Sequence, residues 1–302
     1  MADPDQLAEW FDASRDRLRA IAYRMLGSLS EVDDALQETW IRASQAGHET
    51  IENPDGWLTT ILARVCLNML RTRRSRREEP LETHLPDPLV GPMPANPEAE
   101  AILAESIGLA LLVVVQTLAP AERLAFVLHD VFGLPFDTIA TILGRSPAAT
   151  RQLASRARRR VRGVSGDPDA DLSSQRRVVD AFFAAARDGD LEALMVVLDP
   201  DVVLRADLGP TPASRVVRGA SEVVRFAKAP SDAVVLPALV NGAVGAVVLR
   251  HGHIFSVMGF TVRGGKIVEI DALGDRARLR QLDLTTVTAA PPPSPTGENG
   301  RT

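Results

Sequence analysis

The chain has 302 residues, a hydrophobic fraction of 45% and a formal net charge of −5 at pH 7. Its length predicts about two or three domains with real cores, and its charge argues against a protein coated in nucleic acid while allowing local basic patches. No membrane span, signal pattern or metal-ligand spacing is present, and a single buried-type cysteine, Cys66, excludes a disulfide framework, so we expect a cytoplasmic protein with no metal and no cofactor.

Residues 1–79 have the pattern of a helical domain. Apolar residues from Gln6 to Met25 recur at helical spacing, and Gly27 ends that helix. Ser30 is predicted to cap a second helix. One face of this helix forms an acidic strip, because positions i, i+1, i+4 and i+5 cluster on a helix. The strip consists of Asp33, Asp34, Gln37 and Glu38. It is either a solvated face or a docking surface for a basic partner.

A third helix opens at Asn53 and Pro54, an N-cap residue followed by a proline at the first helical position. Trp57 stands in its first turn, and its C-terminal part carries a run of arginines up to Arg77. Cations there suit the helix dipole, which is one explanation. An aromatic residue beside a basic helix end also suits the capture of unpaired bases while arginines hold phosphates.

Residues 80–97 are dense in proline and have no helical or strand period, which predicts an extended linker or a plain spacer. Residues 98–163 return to helical spacing, with a helix from Glu98 and a second one starting at Pro120. They form the second predicted helical domain.

The stretch from Pro135 to Arg162 predicts a helix-turn-helix, whose second helix enters the DNA major groove. Gly144 stops the first helix and Ser146 caps the second. The residues proposed to face DNA are polar or small, with base contacts expected early in the helix and phosphate contacts later. They are Arg145, Ser146, Ala149, Arg151, Gln152, Ser155, Arg156 and Arg159. The alternative is an αα-hairpin whose basic face is merely solvated.

Residues 174–285 have the pattern of a different fold class from the two helical domains. Two predicted helices are followed by a strand, a short helix and a β-meander. Asn241-Gly242 and Gly264-Gly265 are strong hairpin turns. The order predicts an α+β cone, in which a curved sheet wraps on helices. Residues 286–302 are predicted to be a disordered tail.

The two helical segments resemble the extracytoplasmic-function sigma factors, the bacterial promoter-specificity subunits of RNA polymerase. The resemblance to sigma region 2 runs through YRMLGSLSEVDDALQETWIRA and NPDGWLTTILARVCLNMLRTRRSRREE, and the resemblance to region 4 through LAPAERLAFVLHDVFGLPFDTIATILGRSPAATRQLASRARRRV. The implied fold has two all-α modules, a region 2 bundle and a region 4 helix-turn-helix, followed by the cone. The cone resembles the SnoaL-like, NTF2-like fold that is appended to one subgroup of these factors.

The resemblance implies partners and roles. The acidic strip would dock on the β′ subunit of core RNA polymerase, with β as a further contact, and promoter DNA is the second partner. The residues matching the −10 reader are Asn53, Asp55, Trp57, Asn68, Arg71 and Arg74, and the helix-turn-helix would read the −35 element. The resemblance implies a linker that threads toward the polymerase active site, and a C-terminal domain that contacts the sigma modules or linker and regulates them in cis, without catalysis.

Two features depart from the subgroup. Ala206-Asp207-Leu208-Gly209-Pro210 stands where a DGGGR-like motif is usual, and Ala272-Leu273-Gly274-Asp275-Arg276 where an NPDKV-like motif is usual. Two other functions stay open, a stand-alone helix-turn-helix regulator and a ligand-sensing or enzymatic SnoaL-like protein. For an enzyme, the candidates to line a pocket are Asp207, Arg218, His251, His253 and Asp271.

Overall fold

The computed structural model describes residues 4–46, 51–75, 84–93, 109–164, 171–209, 214–227 and 232–288. The chain divides into two compact units, one holding residues 1–87 and 110–167 and the other residues 88–109 and 168–302. No helix among the described residues is both long enough and apolar enough to cross a membrane. The start of the predicted helix at Glu98, the ends of the predicted linker and residues 289–302 of the predicted tail lie outside the described residues.

The first helical module consists of α1 (Pro4–Leu26), α2 (Leu29–Gln45) and α3 (Pro54–Ser75). Each helix contacts the other two, and the predicted apolar stripes form a buried core. Gly27 ends α1 in the left-handed conformation, with φ at 73°. Cys66 lies in the core, and burial raises the pKa of its thiol to about 12, so this thiol is not a nucleophile at neutral pH.

The start of α2 differs from the prediction. The helix begins at Leu29, so Ser28 is the N-cap residue and the predicted cap at Ser30 is wrong. The Ser28 hydroxyl makes no capping bond, and the Leu29 N–H instead donates to Oδ2 of Asp87 at 2.8 Å. A linker carboxylate therefore takes the capping role, where a negative charge is favoured by the helix dipole.

The Asp87 backbone is held in the same place. Its N–H donates to the Gly27 carbonyl oxygen at 2.7 Å, and the Tyr23 hydroxyl donates to its carbonyl oxygen at 2.6 Å. Leu85, two residues earlier, is 1% exposed. The linker segment His84–Asp87 is thus packed on the first helical module, and it does not behave as a solvated spacer.

The second helical module consists of α4 (Leu109–Thr117), α5 (Pro120–Phe126), a π-helical turn (Val127–Val131), α6 (Phe136–Leu143) and α7 (Pro147–Val164). Gly144 ends α6 with φ at 64°, and Oγ of Ser146 accepts from the Ala149 N–H at 3.2 Å. The predicted helix stop, cap and helix-turn-helix are confirmed.

A buried arginine joins the two helical modules. Arg123, in α5, is 4% exposed and donates to the carbonyl oxygen of Met25 in α1 at 2.8 Å. It also donates to the carbonyl oxygen of Gln116 in α4. Because carbonyls at the end of a helix have no partner within the helix, one guanidinium satisfies helix ends from both modules.

The C-terminal domain begins with α8 (Leu172–Asp188) and α9 (Leu191–Val197). A seven-stranded sheet follows, in the order β1-β4-β5-β6-β7-β2-β3. The strands are β1 (Val90–Pro92), β2 (Leu198–Asp207), β3 (Arg215–Arg218), β4 (Ala233–Val240), β5 (Ala243–Arg250), β6 (His253–Arg263) and β7 (Lys266–Leu273). The short helices are α10 (Ala220–Phe226), α11 (Arg276–Leu279) and α12 (Thr285–Thr288). Among the strands of the described residues, only β2 and β7 pair in parallel.

Both faces of this sheet are packed. One face lies on α8 to α10, with edge-to-face ring pairs among Phe182, Phe183 and Phe260 at 5.4 to 5.5 Å. The other face packs beneath the C-terminal residues Leu279, Leu284 and Val287. The predicted α+β cone is confirmed.

Two strands were not predicted. β3 has only four residues with an arginine at each end, and β1 has three residues that include a glycine and a proline. β1 lies within the predicted linker and pairs antiparallel with β4, in the register Val90↔Val240 to Pro92↔Ala238. The linker thus completes one edge of the C-terminal sheet.

Replacing Asp87 with alanine should lower the free energy of unfolding of the first helical module by about 1–2 kcal/mol, because a buried cap on α2 is lost. Urea denaturation followed by tryptophan fluorescence measures this, since Trp10, Trp40 and Trp57 all lie in that module. Asp87→Asn keeps an acceptor oxygen, so it should lower the free energy of unfolding by less than Asp87→Ala does. An unchanged midpoint for Asp87→Ala would contradict the capping role.

Candidate nucleic-acid interface

The recognition helix α7 has one buried and one exposed face. Its buried face contains Thr150, Leu153, Ala154 and Ala157, all 5% exposed or less. The predicted −35 residues lie elsewhere on the helix and its start, and the structure brings them together on one surface. They are Arg145, Ser146, Ala149, Arg151, Gln152, Ser155, Arg156 and Arg159, of which only Ala149 is half-buried and the rest are exposed.

Arg151 is oriented by an aromatic ring from the preceding helix. Its guanidinium carbon lies 5.7 Å from the centroid of the Phe136 ring, within cation–π range. The neighbouring Gln152 is exposed beside it. A guanidinium and an amide at the start of a recognition helix are the two groups best suited to guanine and adenine edges.

The later arginines of α7 are partly neutralised. Glu122, whose side chain is 10% exposed, lies 3.1 Å from Arg160 and 3.5 Å from Arg156. Asp130 lies 2.9 Å from Arg158. Sequence reasoning missed both acids, because they come from α5 and the π-helical turn and not from the acid-free stretch itself.

Besides Arg151, two arginines on the same surface have no acidic partner among the described residues. Among the described residues, Arg145 and Arg159 are exposed and make no ion pair. They are therefore the arginines of this surface whose charge is most available to a DNA phosphate.

At the start of α3 the predicted −10 residues have structural partners. Oδ1 of Asn53 accepts from the Gly56 N–H at 2.9 Å, which confirms the predicted cap. The Ser14 hydroxyl donates to Asp55, and Trp57 is half-buried. Asn53 and Asp55 thus fix the helix start that positions the Trp57 ring.

Farther along α3, Asn68 and Arg71 are exposed one turn apart, with Arg64 preceding them on the same stripe. Arg74 lies in α3, and its side chain is outside the part of the structure that is described. The structure therefore places Asn68 and Arg71 on one face, about three to four turns from Trp57 at about 3.6 residues a turn.

The predicted acidic strip lies on the outer side of α2. Asp33, Asp34 and Gln37 are exposed and Glu38 is half-buried. Arg19 lies 2.6 Å from Asp33, and Arg42 lies 2.7 Å from Glu38. Exposed ion pairs of this kind contribute little to stability, so they do not prevent the carboxylates from exchanging partners.

The candidate enzymatic residues of the cone do not form one site. His251 and His253 are exposed at the β5–β6 turn, and His251 lies 3.1 Å from Asp232. Asp207 accepts from Arg278 at 2.6 Å. The described residues contain no pairing of a histidine with Asp207 or Asp271 for acid–base chemistry.

Asp271 belongs to a buried charged group on the sheet. Arg205 lies 3.1 Å from Asp271 and 3.4 Å from Glu269. Burial raises the pKa of Asp271 to about 6, although Arg205 acts in the opposite direction. The group is explained as a buried ion-pair network, and no three or more potential metal ligands cluster among the described residues.

The two sequence segments that depart from the subgroup motifs meet at one end of the sheet. The Gly274 N–H donates to the Asp207 carbonyl oxygen at 2.7 Å. Asp275 caps α11, and a Cβ on Gly209 would lie 2.8 Å from the Asp275 carboxylate. The residues that stand in place of the two motifs therefore still contact each other directly.

Comparison with known proteins agrees with this arrangement. Residues 10–76 match Sigma-70 region 2, and residues 108–161 match Sigma-70, region 4. The chain is 42% identical over 223 residues to the ECF RNA polymerase sigma factor SigJ of Mycobacterium tuberculosis (strain ATCC 25618 / H37Rv), an alignment covering 72% of this chain and 70% of that protein.

Two further comparisons, one with a second relative and one with a solved structure, cover nearly the whole chain. The probable ECF RNA polymerase sigma factor SigI of Mycobacterium tuberculosis (strain CDC 1551 / Oshkosh) is 34% identical over 290 residues, covering 93% of this chain and 98% of that protein. The crystal structure of the Mycobacterium tuberculosis extracytoplasmic function sigma factor SigJ aligns with a TM-score of 0.71 at 33% identity, covering 92% of this chain and 99% of that chain.

The first helical module is thus a Sigma-70 region 2 and the second a region 4, and the C-terminal domain is an α+β cone. The chain belongs to the extracytoplasmic-function family of RNA polymerase sigma factors.

Proposed function

We propose that this sigma factor directs core RNA polymerase to a two-element promoter, with α7 in the major groove of the −35 element. The main support for this proposal is the exposed polar surface of α7. Arg151 and Gln152 lie near the N-terminal end of this surface, and Arg159 lies near its C-terminal end. This order suits base contacts from the first turns and phosphate contacts from the last ones.

The first helical module reads the −10 element in this proposal. Asn68 and Arg71 form an exposed polar stripe on α3, and Trp57 lies at the start of the same helix. Stacking of an unpaired base on an aromatic ring stabilises opened DNA by about 1–3 kcal/mol, so captured bases offset part of the cost of strand opening. The factor contributes binding energy and no covalent step.

The acidic strip on α2 is the proposed contact with the β′ subunit, and region 4 is the module proposed to reach the β subunit. Support comes from the exposure of Asp33, Asp34 and Gln37, whose positions match the docking face of the family. A factor of this kind works where RNA polymerase is, in the cytoplasm.

The C-terminal domain regulates the factor in cis by holding its linker. Beyond the β1–β4 pairing, the Asn241 N–H donates to the Leu89 carbonyl oxygen at 2.8 Å, and the Leu89 N–H donates to Oδ1 of Asn241 at 3.1 Å. A linker bound as an edge strand is not available to thread into the polymerase. We therefore expect the domain to restrain activity until the linker leaves β4.

An enzymatic role for the cone is disfavoured. Its helix-facing side is filled by apolar residues, including Phe182, Phe183 and Phe260, and its buried acids are paired with arginines. A stand-alone helix-turn-helix regulator would need only the second helical module, so this alternative does not explain the region 2 module. Both rival functions therefore explain less of the chain.

Replacing Arg151 with alanine should relax the −35 preference. Losing a base-edge contact costs about 1–3 kcal/mol on the preferred sequence and less on sequences already mutated there. Run-off transcription with purified core enzyme measures this on templates that differ only at −35. Arg225→Ala, an exposed arginine of α10, is the matched control. Equal loss on every template would make Arg151 a phosphate contact, and no promoter-dependent transcript with the wild-type factor would contradict the proposed function.

Replacing Asp34 with arginine should weaken binding to core polymerase roughly tenfold or more, because a like charge then faces the basic partner. Fluorescence anisotropy with labelled core enzyme gives the affinity. Asp16→Arg makes the same charge change at an exposed position of α1 and should bind normally. Identical affinities for the two variants would remove the acidic strip from the interface.

A further inference from the structure

A cleft of about 810 Å³ lies inside the first unit, between the two helical modules. Ser30 of α2 and Arg73 of α3 line one side, and Arg123 of α5 and Arg160 of α7 line the other. His84 of the linker also reaches it. Both modules therefore have to be packed together for the cleft to exist.

Positive charge dominates the walls of this cleft. Arg73 pairs with Glu31, and Arg160 pairs with Glu122 at 3.1 Å, so each wall carboxylate has an arginine partner. Arg123 is the third arginine. Its two bonds go to neutral carbonyl oxygens, and no carboxylate among the described residues pairs with it.

Arg123 is 4% exposed and its Nε has no hydrogen-bond acceptor among the described residues. Burial, together with the neighbouring charge of Arg73, lowers the pKa of Arg123 to about 9. The guanidinium therefore stays charged at neutral pH in surroundings that disfavour a cation. A buried charge without a counter-ion is costly, and an anion entering the cleft would relieve that cost.

We propose that this cleft binds a small polyphosphorylated metabolite, with its phosphate oxygens facing Arg123 and flanked by Arg73 and Arg160. Guanidinium groups match phosphate oxygens in geometry and remain charged, and the Ser28, Ser30 and Thr117 side chains border the same space. The volume is larger than a single inorganic phosphate needs, which favours a ligand with several phosphates.

Such a ligand stabilises the packed arrangement of the two modules, because a molecule that binds only one arrangement shifts the population toward it. Arg73 and Arg160 also lie on the two helices that are proposed to contact DNA. The ligand would then oppose promoter binding. This regulatory consequence rests on the proposed function, whereas the binding site itself does not.

Calorimetric titration of the full chain with tripolyphosphate, without polymerase or DNA, tests the site. Ser30→Glu places a carboxylate in the cleft at an exposed position in the first turn of α2, where an acid suits the helix dipole, and should weaken binding roughly tenfold. Glu122→Gln removes a wall carboxylate and should tighten binding by a similar factor. Tryptophan fluorescence checks that each variant is folded.

The control is Arg145→Gln, which removes a positive charge from the DNA-facing surface outside the cleft and should leave tripolyphosphate affinity unchanged. If Arg145→Gln weakens binding as much as Ser30→Glu does, the anion binds the DNA surface and the proposal is wrong. Absence of binding to the wild-type chain at millimolar tripolyphosphate overturns it as well. Neither result bears on whether the chain is an active sigma factor.

Discussion

The linker is the constraint on which the rest of the structure depends. Asp87 caps α2 of region 2, and three residues later the chain becomes the edge strand β1 of the C-terminal sheet. The segment that in this family is implied to enter the polymerase is therefore bound at both of its described ends. Each end uses backbone or helix-terminal groups that would otherwise lack partners, so release exposes them again.

The pairing of polar groups also shapes the surfaces that are proposed to face DNA. In α7, helical periodicity buries Leu153 and Ala157 and leaves the opposite side polar. Glu122 and Asp130 pair with three of its later arginines, which leaves Arg145, Arg151, Gln152 and Arg159 as the groups of the proposed surface most open to DNA. Local charge, and not the net charge of the chain, decides which surface binds the polyanion.

Local signals predicted most of the fold. Gly144 and Ser146 define the helix-turn-helix, Asn53 starts α3, and Asn241-Gly242 forms a hairpin turn with φ of 52° and 78°, because these residue types favour those backbone conformations on their own. The predicted surface positions on α2, α3 and α7 follow from the same periodicity.

What the sequence could not predict depends on partners that are distant along the chain. Ser30 was the plausible cap for α2, but Asp87, 58 residues beyond Leu29, has that role. β1 is too short and too rich in Gly and Pro to have a strand pattern, and it exists because β4 offers an unpaired edge. Glu122 and Arg160 are 38 residues apart along the chain. The sequence of α7 itself contains no acid, so it predicted more unpaired arginines on this helix than the structure has.

A reversible disulfide between β1 and β4 tests the central claim most directly. Val90 and Val240 face each other in register and pack in the same cluster, and the natural Cys66 is buried, so Val90→Cys with Val240→Cys should form one bridge. Run-off transcription with core polymerase is then compared before and after reduction, with the wild-type chain under the same conditions. The account predicts that the oxidised variant gives no promoter-dependent transcript and that reduction restores it. Equal transcription in both states would contradict linker capture as the means of control.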